Sequence, residues 1–156
     1  MDFVLGTAQL DTSQIKRYGT CNQSKLSDDD VQEILEEADN QNIKRLDTAS
    51  GYGNNYQHLY NFYRNDIRII QIGSKIESQN WITKETSIEA IKDNYKIEHR
   101  MVKDTQYLEL LSFHNFEDYE KQNAYQALIQ LKNENYVSKI GVSIYYYKKM
   151  NLNLLW

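Results

Sequence analysis

The 156-residue sequence contains no proline, against about 5% in average proteins. A bias in the coding sequence is the plain reading of that absence, and no function follows from it. Cysteine occurs once, at Cys21. A lone cysteine excludes an intrachain disulfide framework and a multi-cysteine zinc site, and it points to a reducing, cytoplasmic setting. Long apolar runs are missing as well. The longest spans a few residues, far short of the ~20 needed to cross a bilayer, so no membrane partner is expected. Met1 to Gly6 shows no basic region followed by an apolar stretch, the pattern of a secretory signal. An excess of positive charge is also missing. The 18 Lys and Arg residues stand against 22 Asp and Glu, for a net charge of −4. No face-sized basic block stands out to attract nucleic acid.

Hydrophobic residues make up 40% of the chain and charged residues 26%, as in soluble globular proteins. A chain of this length can bury about 68–70% of its unfolded surface, enough for one domain with a real core. There are 13 tyrosines, so a tyrosine by itself carries no functional signal here.

Short apolar runs alternate with helical patterns along the chain, which suggests parallel strands joined by crossover helices. Phe3 to Thr7 predicts a first strand, and Asp11 to Lys25 a polar loop. Ser27 opens a helix, because its hydroxyl can cap free amides and Asp28, Asp29 and Asp30 suit the positive N-terminal end. Val31, Ile34, Leu35 and Ala38 form one apolar stripe. Asn40 or Asn42 can end that helix, since Asn tolerates the left-handed conformation. Further strands are expected at about Lys44–Thr48, Ile67–Ser74, Tyr107–Phe113 and Val137–Ser143. Helices are expected at about Asn55–Arg64, Thr83–Arg100 and Gln122–Glu134. That makes five strands and four helices. A (β/α)8 barrel uses about 250 residues, or roughly 31 per unit, so five units account for this chain. Spacing alone leaves an open doubly wound sheet possible. No G-x-G-x-x-G follows the first strand, so the Rossmann signature is absent.

In such barrels chemistry sits just past the C-terminal ends of strands. Read in order, those ends carry Asp47 and Tyr52 after the second strand, Lys75 after the third, His114 after the fourth and Ser143 after the fifth. A free tyrosine, with a pKa near 10, is a poor acid at neutral pH. A nearby ammonium favours the phenolate. Lys75 can supply that charge, and Asp47 can hold Lys75. Tyr52 then protonates a carbonyl oxygen, and His114 hydrogen-bonds the same oxygen. Plain readings stand beside these: Asp47 as a turn cap, Tyr52 as a packing residue, Lys75 as a solvated lysine, His114 as a satisfied strand-end histidine. His58 and His99 read as surface residues, and Cys21 as an inert loop thiol.

Asp47-Thr48-Ala49-x-x-Tyr52-Gly53 resembles the signature of the aldo-keto reductases, in which the Asp and Tyr belong to a catalytic tetrad. Ser74-Lys75 resembles the segment with the tetrad lysine, and Leu108 to Asn115 the strand with the tetrad histidine. Gly6-Thr7-Ala8-Gln9-Leu10 and Tyr18-Gly19 are similar to the opening of bacterial members. Gly141-Val142-Ser143 is similar to the strand whose serine touches the nicotinamide amide. The likeness runs from about Phe3 to Tyr145. It implies an α/β fold, a partial (β/α)8 TIM-type barrel over residues 1–145, and NADPH-dependent reduction of a small carbonyl compound. By the same resemblance Asp47, Tyr52, Lys75 and His114 are catalytic, Gly6, Thr7 and Ser143 line the cofactor site, and no metal takes part. Ile144 stands where many members have Asn.

Residues 146–156 show no such likeness. Members of the family continue through three more strands, which carry much of the dinucleotide site. An incomplete barrel is therefore expected, with wet apolar surface in its interior and open edges that invite self-association or a complementing chain. Two alternatives to a working reductase follow. One is a non-catalytic remnant or interaction subunit. The other, which the Asp47–Gly53 motif argues against, is an unrelated α/β carbonyl or sugar enzyme. Sugars, aldehydes and ketones all remain open as substrates.

Overall fold

A computed structural model of the chain describes residues 3–11, 26–64, 70–76, 86–105, 107–114 and 120–143. The Tyr18-Gly19 pair, Cys21, Ile67, Thr83, Asn115, Ile144 and the tail 146–156 lie outside the described residues. In chain order the elements are β1 (Leu5–Gly6), α1 (Asp28–Asn40), β2 (Arg45–Asp47), α2 (Asn55–Tyr63) and β3 (Gln71–Ile76). They continue with α3 (Ile88–Glu98), α4 (Arg100–Thr105), β4 (Tyr107–Phe113), α5 (Gln122–Asn133) and β5 (Lys139–Val142).

The five strands pair in parallel in the order β1-β2-β3-β4-β5. A doubly wound sheet reverses its order at a switch point. A parallel order that follows the chain throughout is that of a (β/α)8 barrel, so the fold is a partial TIM-type barrel. The helices number five among the described residues, not four.

Alternation along the strands separates two faces. Leu46, Ile72, Leu111 and Phe113 are almost wholly buried and join Leu35, Leu59, Tyr63, Ile91, Tyr95, Leu128 and Leu131 in one helix-side core. The opposite face is in register across the sheet. Gly6 lies beside Asp47 and Asp47 beside Gly73, while Lys75 lies beside Ser112 and Ser112 beside Gly141. Among the described strand residues that face carries glycine, serine and charge, with the half-buried Leu110 beside Gly73 as an apolar member. Large exposed apolar side chains among the described residues are Phe3, Val4 and Ile97, and none is a strand residue. A register shift between Ile72 and Gly73 leaves Glu109 as the extra residue of a bulge in β4. Its carboxylate reaches Lys139 at 2.6 Å and Arg45 at 4.0 Å.

The helix boundaries follow from capping. The Ser27 hydroxyl accepts from the Asp30 amide at 3.1 Å, and the Asp30 carboxylate accepts from the Ser27 amide at 2.7 Å. This capping box satisfies two amides at once, and the Ser27 bonds hold the Asp30 carboxyl below its ordinary pKa. Ser27→Ala should lower stability by about 1 kcal/mol, read as a shift in urea midpoint at unchanged slope. At the other end Asn42 takes φ 58°, and Asn135 does the same after α5 at φ 57°.

Of the stretch expected as one helix, Thr83–Arg100, residues 83–85 lie outside the described residues, α3 covers Ile88–Glu98, and a further helix, α4, starts at Arg100. Ser87 caps α3 by accepting from the Ala90 amide at 3.2 Å, so the described helix starts at Ile88. It stops at His99, and α4 then runs in a new turn from Arg100. His99 is not a surface residue either. It is fully buried, and its ring lies 5.7 Å from that of Tyr56 on α2. His58, also expected on the surface, is half-buried in a cleft lined by Asp28, Leu35 and Phe62 among others.

Candidate active site

Asp47 ends β2, and Lys75 is the last but one residue of β3. The pairing of Asp47 with Gly73 puts both side chains on the interior face at the C-terminal rim. The Lys75 ammonium donates to the two Asp47 carboxylate oxygens at 2.6 and 2.5 Å and to the Thr48 carbonyl at 3.2 Å. The lysine side chain is only 14% exposed, the aspartate 43%. The carboxylate thus meets solvent while the ammonium points inward.

Tyr52 sits in the turn 48–54 between β2 and α2. The start of that turn is sewn to β3: the Thr48 amide donates to the Gly73 carbonyl at 2.8 Å and the Ser50 amide to the Lys75 carbonyl at 3.0 Å. Gly53 follows at φ +65°, in the left-handed region. A Cβ there would overlap the Asp11 carboxylate, so glycine is required twice over.

The turn buries Tyr52 to 7% exposure. The Lys75 ammonium lies 5.7 Å from its ring centroid, within cation–π range. His114, one residue past β4 and also buried, meets the same ring edge-on at 5.8 Å and 76°. All four predicted tetrad residues therefore converge, with Tyr52 between Lys75 and His114 and Asp47 behind the lysine. An ammonium and an imidazole both against the ring of a buried tyrosine supply the kinds of group that acid–base chemistry at a phenol uses.

Of the residues expected at a cofactor, Ser143 donates its amide to the Phe113 carbonyl at 2.8 Å, which sets it beside His114. Gly6 pairs with Asp47, and a Cβ there would meet nothing within 4 Å. Thr7 faces the scaffold instead. It is fully buried, and its amide and hydroxyl both donate to the Asp47 carbonyl, at 2.9 and 3.1 Å.

Two buried polar residues escaped the sequence reading. The Asn55 side-chain amide donates to the Thr7 carbonyl at 2.5 Å and to its hydroxyl at 3.3 Å. The Asp11 carboxylate accepts from the Asn54 amide at 2.5 Å. The paired asparagines directly after Gly53 were the available signal, since Asn at a helix start commonly bonds across to backbone. Among the described residues no group of three or more His, Cys, Asp or Glu is placed to hold a metal.

The family model described as the aldo/keto reductase family matches residues 2–152; the chain belongs to that family. Solved structures agree on the fold. A homologue from Pseudomonas aeruginosa, assigned to the aldo-keto reductases, superposes with a TM-score of 0.68 at 22% identity, over 90% of this chain and 54% of its own. The holo form of the aldo-keto reductase AKR11C1 from Bacillus halodurans gives 0.63 at 20%, over 91% and 45%. A mutant of Gox0644 in complex with NADPH gives 0.55 at 21%, over 78% and 43%. The chain spans about half the length of these structures. No curated protein matches it.

Proposed function

We propose that this chain carries the acid–base machinery of an NADPH-dependent carbonyl oxidoreductase acting on a small aldehyde, ketone or sugar. The observation that supports it most is the placement of Tyr52, buried between Lys75 and His114 with Asp47 holding the lysine. The NADPH complex of Gox0644 suggests the cofactor. The residues present fit its nicotinamide end. The interior face is open beside Gly6, and the backbone bond from Ser143 to Phe113 sets beside His114 a serine whose hydroxyl would suit the carboxamide.

Bound NADPH supplies the hydride that reduces the carbonyl carbon. The chain's own residues handle the proton and the geometry. Tyr52 gives its phenolic proton to the carbonyl oxygen as negative charge develops there. Lys75 favours the phenolate left behind, and Asp47 fixes the ammonium in place. His114 offers a hydrogen bond to the same oxygen and orients the substrate. Burial of Tyr52 and His114 keeps water from competing. In this proposal residues 1–145 are the N-terminal part of the barrel, Gly6 opens the cofactor side of β1, and Thr7 holds that strand end from behind.

A second reading rests on the sheet edges. β1 and β5 each pair on one side only among the described residues, and such edges accept added strands. A complementing chain there supplies the rest of the dinucleotide site. The test is loss of NADPH absorbance with a panel of aldehydes, ketones and sugars. Carbonyl-dependent oxidation by the chain alone supports the first reading. Turnover only after adding the C-terminal half of an aldo-keto reductase barrel supports the second, and no turnover under either condition contradicts both.

A further inference from the structure

We infer that Asp11 and Asn55 are positioning residues for Tyr52, clasping the turn 48–54 to the end of β1 so that the phenol stays between Lys75 and His114. The inference deepens the proposed function and rests on Tyr52 as the acid. A proton donor must be held within about 0.5 Å of its working place, yet Tyr52 lies on a turn, the part of a barrel most free to move. The first half of that turn is bonded to β3. Its second half, 52–55, leans on the segment after β1.

Two reciprocal bonds make that contact. From the segment after β1, the Asp11 carboxylate takes the Asn54 backbone amide at 2.5 Å and packs against Gly53. From α2, the Asn55 amide reaches back to the Thr7 carbonyl at 2.5 Å. Thr7 in turn donates twice to the Asp47 carbonyl. The turn bearing the acid is thereby tied to the strand end that holds Lys75. Asp11 and Asn55 are 6% and 0% exposed, so these bonds are shielded from water, and a bond from an amide to a carboxylate is among the stronger kinds. The Asn54 side chain makes no capping bond of its own. Asp11 acts as the cap from another element, at the positive end of α2 where a carboxylate is favoured.

The test places 3-fluorotyrosine at position 52 in the full chain and reads its fluorine resonance. The parent should give one narrow line, displaced from that of the free amino acid by burial. Asp11→Ala and Asn55→Ala should each broaden the line and move it toward the free position. Asp11→Asn, which keeps a side-chain oxygen acceptor, should restore it. If the alanine variants do not fold, Asn55→Asp carries the test: it is isosteric but sets a carboxylate against the Thr7 carbonyl, so it should shift the line where Asp11→Asn does not. An unmoved line in folded Asp11→Ala and Asn55→Ala, or in Asn55→Asp where those do not fold, overturns the inference, even if melting temperatures fall, because a merely structural cap would do only the latter. Where turnover is measurable, Asp11→Ala should lower kcat by about tenfold to a hundredfold with little change in KM for NADPH. It should add no further loss in a Tyr52→Phe background. Turnover surviving in Tyr52→Phe would sink the assigned acid and leave the clasp standing, since the resonance does not depend on catalysis.

Discussion

Tyr52→Phe should lower carbonyl reduction by about 10²- to 10⁴-fold, the usual contribution of a positioned general acid. The change removes one oxygen and keeps the ring. The ring is what meets the Lys75 ammonium at 5.7 Å and the His114 edge at 5.8 Å, so both contacts survive. The fold and cofactor affinity should hold, and the loss should fall on kcat rather than on KM for NADPH. Steady-state kinetics of the parent and variant at matched melting temperature decide the matter. Undiminished turnover would show that the proton comes from elsewhere.

Acid should weaken the fold through His99. Its ring is fully buried, its Nδ1 donates to the Tyr95 carbonyl at 2.9 Å, and its Nε2 has no hydrogen-bond partner. That assignment of the proton follows from the carbonyl, which can only accept. Burial pushes the imidazole down to about 4 from an ordinary 6.5, against the smaller upward pull of the Tyr95 bond. Below 6.5 the unfolded chain therefore binds a proton that the native chain refuses. Stability falls with pH through that window, by up to about 3 kcal/mol on reaching pH 4. That is a large share of a typical stability of about 5–15 kcal/mol. The lowered carboxyls of Asp30 and Glu134 act elsewhere. Hydrogen bonds hold both below their ordinary values of 3.8 and 4.5, so their contribution is lost only as pH falls below those values. Urea midpoints between pH 6.5 and 4.5 should slope downward in the parent. His99→Asn, which keeps a donor but does not titrate here, should flatten the slope. An equal slope in both would remove His99 from the account.

Local patterns carried much of this fold to the sequence level. Tyr107–Phe113 is the strand the apolar run predicted, and Ser27 with its acidic first turn opened α1 where its chemistry required. The predicted site residues were legible because Asp47, Lys75 and His114 stand at strand ends and Tyr52 in the turn after one, and strand ends in a parallel barrel meet at one rim. What stayed hidden depends on neighbours far along the chain. His99 sits between Glu98 and Arg100, a polar context that reads as surface, and α2 packs over it to bury it. Phe3 and Val4 look like strand, but β1 pairs only over Leu5–Gly6 and leaves both exposed. Asp11 bonds Asn54 and Thr7 bonds Asn55 across more than 40 residues of sequence, which no periodicity reports. The polar interior face, too, becomes visible only once register aligns Asp47, Gly73, Lys75 and Ser112.

The central claim is that these motifs still form a site for the cofactor. Its most direct test is thermal unfolding of the purified chain with and without excess NADPH. A ligand that binds only the folded state adds about 2.7 kcal/mol at a hundredfold excess over its dissociation constant, which for a chain this size raises the midpoint by roughly 5–10 °C. The account predicts one cooperative transition that moves upward with NADPH. A sharp transition that ignores NADPH, or a broad one with no defined midpoint, would contradict it.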